Sequence, residues 1–428
     1  MTAKSQSEGL VAVAGHTRVN LAIPSPLGAN GLPHFAIEPE NIAGQDLEVN
    51  LVLFGGRAAR VLFVSVDILF AGPTLSQRVR SVVARLAPDV AVWLSATHTH
   101  RAPAMDRNKP ALGEARPEVI DSLVSQIEDA VLHLLTEGSG VRRLSPTIAT
   151  ADMAGLSVHR RARGRLRLTR RGFQSGGVTM APNHAIPVQR EAVRVDWLDE
   201  AGVVRCVMWH WSCHPTAYPD PRRISSDYVG VVRQAIRAQV GEVPVLFFQG
   251  FAGDIRPPAV RTWRTEPLRR ARLGPGFRRF TDSEYAAWAG EIAERILHAR
   301  PYLSSASTSG HEGPISTRRT FPSTDFVRGS PVEEVVMHEI LLGPLRLFGV
   351  SAEPSFGHLP RSVNHATDWY CGYLEDVYGY LPTEEQYREG GYEVDGFCSA
   401  FACEALRLEG VRSFSSMMAE RAAQDVAT

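Results

Sequence analysis

The chain has 428 residues, 44% of them hydrophobic and 21% charged, with 46 basic and 46 acidic residues. That balance excludes a disordered polyelectrolyte and a basic protein selected for nucleic acid, and the length gives room for one large or two moderate domains. Five cysteines, odd in number and without a Cys-x-x-Cys pair, exclude a disulfide scaffold.

Residues 1–9 are polar and expected to form a disordered tail, and they lack the apolar stretch of a signal peptide. No apolar run reaches the roughly 20 residues of a membrane helix. The expectation is a cytoplasmic protein with a single domain over 10–428. Only Lys4 and Lys109 are lysines. The arginine excess fits a GC-rich, bacterial coding sequence as readily as a functional need.

Leu10 to Ala14 reads as a first strand, and residues 20–48, rich in Pro, Gly and Asn, as a long ordered loop. Val61 to Leu69 is a continuous apolar run of the kind buried on both faces. Thr74 to Leu86 has helical spacing, and Val90 to Leu94 is the next strand. It leads into Ser95-Ala96-Thr97-His98-Thr99-His100. In an extended segment His98 and His100 share a face, which suits a metal site or an acid/base pair. Pro117 to Thr136 is an amphipathic helix opened by proline. Alternating strands and helices predict an α/β fold of layered mixed sheets flanked by helices.

Residues 159–172 are arginine-rich, either a solvated loop or a lid that meets a carboxylate or phosphate. Val193–Leu198 and Val203–Trp211 form a strand pair, and the second runs into Ser212-Cys213-His214-Pro215. Ser226–Val240 is a helix with Ser225 or Ser226 as its N-cap. Val243–Phe248 ends at Gln249-Gly250-Phe251-Ala252-Gly253-Asp254, and 256–280 reads as a surface excursion. Thr281–Ala299 is a capped helix, and Val335–Leu342 and Leu345–Val350 are strands ahead of Ala352-Glu353-Pro354. A tyrosine-rich stretch, 369–392, precedes a predicted helix over Cys398–Arg421. The sequence shows no internal repeat.

Four apolar strands thus end at Asp67, His98/His100, His214 and Asp254. Ligand sites of open α/β sheets gather at such ends. A lone His-Pro is more often structural. Two histidines and Glu353 together make a set suited to catalytic Zn²⁺ with one position open.

The wording and order of these segments resemble the neutral (non-lysosomal) ceramidases. The motifs are Thr97-His98-Thr99-His100, Ser212 to Thr216, Ile224 to Tyr228, Phe248 to Asp254, Ala352-Glu353-Pro354, and Tyr378 to Glu393. The resemblance implies one zinc held by His98, His214, Glu353 and Tyr380, with Tyr378 as the alternative register. It implies His100 as the acid/base group, Arg160 as an oxyanion or substrate contact, and Asp254 (with Asp67 beside it) as an orienting residue. Arg256 stands where the family carries a serine, and Ala104-Met105-Asp106-Arg107 replaces a glycine-rich continuation. The family's C-terminal β-sandwich and secretion signal are expected to be absent. The expected activity is zinc-dependent hydrolysis of an amide bond in a small N-acyl substrate. Arg256 and Arg163 would meet an anionic group on that substrate. Acyl transfer at the same zinc site, or ligand binding without catalysis, are the alternatives.

Overall fold

The computed structural model describes residues 10–427 apart from 30, 57–58, 137–141, 170–171, 262–274, 303–312 and 361. The tail over 1–9 lies outside the described residues. Strands β1 (Val11–Arg18), β2 (Glu48–Gly55), β3 (Arg60–Val66) and β4 (Val90–Ala96) form the first main sheet. The first three are antiparallel neighbours, and β4 is parallel to β3. Helix α1 (Gly72–Leu86) connects that parallel pair, and α2 (Pro117–Thr136) follows.

The second sheet repeats this path. Strand β5 (Ser145–Asp152) is followed by a hairpin of β6 (Val158–Thr169) and β7 (Gly172–Asn183). The sheet resumes with β8 (Glu191–Leu198) and β9 (Val204–Trp211), both antiparallel, then α3 (Asp227–Val240) and the parallel β10 (Val245–Gln249). A two-residue strand, β11 (Ile255–Arg256), pairs back onto β6, and α4 (Asp282–Leu297) covers the sheet. The third sheet comprises β12 (Ile315–Pro322), β13 (Glu334–Leu342), β14 (Leu345–Val350) and β16 (Asp368–Cys371). It again has two antiparallel joins and then a parallel one. Strand β15 (Glu353–Pro354) pairs with β17 (Tyr380–Leu381) beside it. Helices α5 (Glu384–Glu389) and α6 (Leu408–Ala427) follow.

The strands are apolar on both faces because both faces are buried. In β3, Val61 and Phe63 meet Met208 and Phe248 of the second sheet and Leu347 and Trp369 of the third in one central core. Leu62, Val64 and Val66 point the other way, onto Leu75 and Val79 of α1 and Leu123 and Ile127 of α2. In β9, Cys206 and Met208 face the central core. Val207, Trp209 and Trp211 pack under α3 and α4. Three sheets therefore share one inner core, and the parallel third and fourth strands of each end together. The residues just beyond those ends are Asp67 and His98, His214 and Asp254, Glu353 and Tyr373.

Several sequence expectations are corrected. The chain path does repeat, although the sequence does not, because strand order requires only the apolar alternation. Within 20–48 the structure has the short pair Ser25–Pro26 and Ala36–Ile37. Strand β2 went unnoticed because Glu48 and Asn50 interrupt its apolar run. Strand β12 did too, because an exposed edge strand needs no apolar pattern. The arginine-rich segment is the β6–β7 hairpin and not a loop. At α3, Ser226 makes no capping hydrogen bond, whereas the Ser225 hydroxyl accepts from Asp227 N at 3.0 Å. The Asp227 carboxylate accepts from the backbone of Ala217 and Tyr218 at 2.8 and 2.9 Å. The last helix starts at Leu408 and not at Cys398, because Ala405–Leu406 first pairs with Val327–Arg328. No helix among the described residues is long and apolar enough to cross a membrane.

Asp67 does not face the histidines. It is fully buried and accepts from Arg233 Nη2 at 2.8–2.9 Å and from the Glu48 backbone at 2.9 Å. Arg237 adds bonds to Glu48 at 2.7 and 2.8 Å, so this cluster fastens α3 to the first sheet. Replacing Arg233 with Met strands the Asp67 carboxylate in the interior, and unfolding free energy should fall by about 3–5 kcal/mol in urea denaturation. Burial alone would raise the Glu48 carboxyl, but Arg233 and Arg237 outweigh it and hold it at about 2. A carboxyl depressed on folding stabilises above its unfolded value of 4.5, and that stability is lost as pH falls toward 2. Urea midpoints taken across that window should therefore fall more steeply in wild type than in Glu48→Gln.

Candidate metal centre

The three histidines are aimed by backbone carbonyls. His98 Nδ1 lies 3.1 Å from Leu69 O, His100 Nδ1 3.2 Å from Ala29 O, and His214 Nδ1 3.0 Å from Ile255 O. A carbonyl only accepts, so each Nδ1 carries the proton and each Nε2 presents a lone pair. Those Nε2 atoms converge: the ligand atoms of the three rings lie within 4.8 Å of one another. His98 and His100 Nε2 are 3.4 Å apart. Glu353 Oε2 is 3.2 Å from His214 Nε2 and 3.6 Å from His98 Nε2. His98 and His214 are buried, and His100 is half-buried. Burial pushes all three imidazoles well below their usual range, which keeps them neutral. Neutral nitrogens beside a carboxylate form a donor set that could bind a metal.

The chain is bent sharply to achieve this. His98, Asp227 and Tyr373 all have φ near +60°, at 68°, 55° and 64°. Non-glycine residues held there cost on the order of 1–3 kcal/mol each. Gly253 allows the turn after β10 to close on β15, since its N–H donates to Pro354 O at 2.8 Å. A Cβ at Gly253 would stand 2.6 Å from the Glu353 carbonyl oxygen.

Tyr380 is buried and paired to Glu353 through the β15–β17 register. Its phenol interacts with the Glu353 carboxylate and with Arg160. Tyr378 points elsewhere, its ring tilted against Phe326 at 5.7 Å. Arg160 is buried, with its guanidinium carbon 5.3 Å from the Tyr380 ring and 5.5 Å from that of Tyr392. Its Nε donates to Glu393 Oε1 at 2.8 Å, while Nη2 is buried without a partner among the described residues.

Asp254 is enclosed by partners. Oδ1 accepts from Phe356 N at 2.9 Å, and Oδ2 accepts from Gln386 Nε2 at 2.8 Å and lies 3.1 Å from His159 Nε2. Burial would raise its carboxyl, but these hydrogen bonds hold it at about 2. It positions the loop that carries Ile255 and does not reach the three rings itself. Arg163 is not at the site. Its side chain is 88% exposed and pairs with Glu389 at 3.7 Å. It borders a cleft of about 1140 Å³ lined also by His159, Asp254 and Phe356 but by none of the three histidines. Arg256 lies beside the site, next to the Ile255 carbonyl that orients His214.

Three neighbours were not foreseen. Tyr373 lies against His98, its ring centroid 4.1 Å away. Glu393 is buried and ties Arg160 to Arg161, whose Nη1 donates at 2.6 Å. His159 braces Asp254. No local pattern marks them, although an acid next to Tyr392 in the segment that resembles the family's tyrosine segment was a usable hint for Glu393.

No protein-family model and no characterised protein matches this sequence. The fold does match solved structures. A neutral ceramidase from Pseudomonas aeruginosa superposes with a TM-score of 0.69 at 13% identity, over 97% of this chain and 74% of that one. A ceramidase complexed with C2 superposes at 0.67 and 12% identity, over 97% and 75%. The chain has a neutral-ceramidase-like α/β fold.

If Tyr380 completes the donor set, Tyr380→Phe should weaken divalent-metal affinity at least roughly tenfold, whereas Tyr378→Phe should leave it unchanged. Competition with a chelator of known affinity measures both.

Proposed function

We propose that this protein is a zinc-dependent hydrolase that cleaves the amide bond of a small N-acyl substrate. The observation that supports it most is the convergence of three carbonyl-tethered imidazoles, two of which lie within 3.6 Å of the Glu353 carboxylate. The ceramidase-like fold, whose solved examples carry an amide-cleaving name, is consistent with it. His98, His214, Glu353 and Tyr380 would hold the ion, a mixed N/O set with room for a substrate or water ligand. Zinc bound there would polarise the substrate carbonyl and lower the pKa of water toward neutrality.

The remaining chemistry falls to protein groups. The unpartnered Arg160 Nη2 donates a hydrogen bond to the carbonyl oxygen as it gains negative charge. Glu393 fixes that guanidinium through Nε, so the donor is oriented before the substrate arrives. His100 Nε2 takes a proton from water as the water oxygen attacks the acyl carbon. It returns the proton to the departing nitrogen when the carbon–nitrogen bond breaks. His100 suits this role because its ring is the more open of the three and is held by Ala29 O. Arg256, at the position of the family's serine, offers no nucleophile, so attack by water is the route left. The cytoplasm is the proposed location.

Elemental analysis of purified protein should find one zinc per chain, lost from His98→Ala and His214→Ala together with N-acyl amide hydrolysis. His100→Ala should keep its zinc and lose about 10²–10⁴-fold in kcat. Loss of zinc from His100→Ala would make it a ligand instead. Undiminished hydrolysis by metal-free wild type would sink the proposal.

A further inference from the structure

Arg256 is the one element of the site that the hydrolytic scheme leaves without work. It sits in β11, with Arg256 opposite Val158 and Ile255 opposite His159 of β6. Side chains alternate along a strand, so Arg256, Val158 and Arg160 lie on the same face. Ile255 O holds the His214 ring, and the charges of Arg160 and Arg256 both act on that imidazole. Arg256 thus lies on the same face of the β6–β11 ladder as Arg160.

Its surroundings are unusual for a cation. The guanidinium carbon lies 4.3 Å from the Phe277 ring centroid. Nη1 is 3.8 Å from Met180 Sδ, and Nε is buried without a partner. No carboxylate pairs with it among the described residues. The more deeply buried Arg160, Arg161, Arg194 and Arg233 each have one. Burial and the nearby Arg160 push Arg256 down to about 10, which still leaves it charged at neutral pH. A half-buried guanidinium without a carboxylate partner can take an anionic group of a ligand as its counter-ion. Phe277 and Met180 provide a flat apolar floor, which suits a planar carboxylate held edge-on by a guanidinium.

We propose that Arg256 binds a carboxylate on the amine side of the substrate, so that the substrate class is N-acyl amino acids and not neutral N-acyl amines. This rests on the hydrolase reading above. In the reaction, the water oxygen bonds to the acyl carbon and the carbon–nitrogen bond breaks. Both water protons end on the amine, giving a carboxylate and a zwitterionic amino acid.

The test compares N-octanoylglycine, N-octanoylglycinamide and an N-succinyl alkylamine, which places its carboxylate on the acyl side. Zinc-loaded wild type should prefer N-octanoylglycine in kcat/KM. Arg256→Met should reduce that preference over the glycinamide by roughly 10–100-fold, and Arg256→Lys should restore part of it. An unchanged preference in Arg256→Met overturns the proposal, and so does an Arg256-dependent preference for the succinyl amide. Should wild type hydrolyse no amide at all, the hydrolase reading fails separately. Calorimetric binding of N-octanoylglycine, present in wild type and lost in Arg256→Met, would still decide the role of Arg256.

Discussion

Three backbone carbonyls aim three imidazoles at one point, and the candidate centre depends on that. Leu69 O follows the third strand of the first sheet, Ile255 O follows the fourth strand of the second, and Ala29 O comes from the segment between β1 and β2. Each fixes the tautomer as well as the direction of a ring, so the lone pairs converge before any ligand is present. The shared core makes this possible. Sheets that pack inner face to inner face bring the ends of their parallel strands to one place. Residues far apart in the chain then need only short extensions to meet.

A second shell of buried charge holds those extensions still. Glu393 ties Arg160 and Arg161 to the segment after α5, Asp254 ties the β10 turn to Phe356 and Gln386, and Arg233 ties α3 to Asp67 and Glu48. Each carboxylate is saturated by donors, which is the condition under which buried charge is tolerated. Left-handed backbone at His98, Asp227 and Tyr373 is strain stored in the same region. Arg256 differs from these arginines, because Phe277 and Met180 flank it and no carboxylate pairs with it among the described residues.

Much of the architecture was legible in sequence. The strands through Val61–Val66, Val90–Ala96 and Leu345–Val350 announce themselves by predominantly apolar runs, and α2 by its proline and its stripe. The elements that went unread obey other rules. β2 carries Glu48 and Asn50 into the interior because arginines of α3 await them. β12 lies at an exposed edge, and the β6–β7 hairpin is arginine-rich because hydrogen bonding, not apolar alternation, holds it.

The sequence by itself determined the fold class and the short list of chemically capable residues, since strand ends bearing His98, His100, His214 and Glu353 follow from local periodicity. Only the tertiary structure decided their relations. It put Tyr380 and not Tyr378 beside Glu353, turned Asp67 toward Arg233, sent Arg163 out to solvent, and left Arg256 without a carboxylate partner among the described residues. Partners such as Glu393 and His159 are chosen by which strands pack together. That is a long-range outcome of burying three sheets in one core, and no window of sequence contains it.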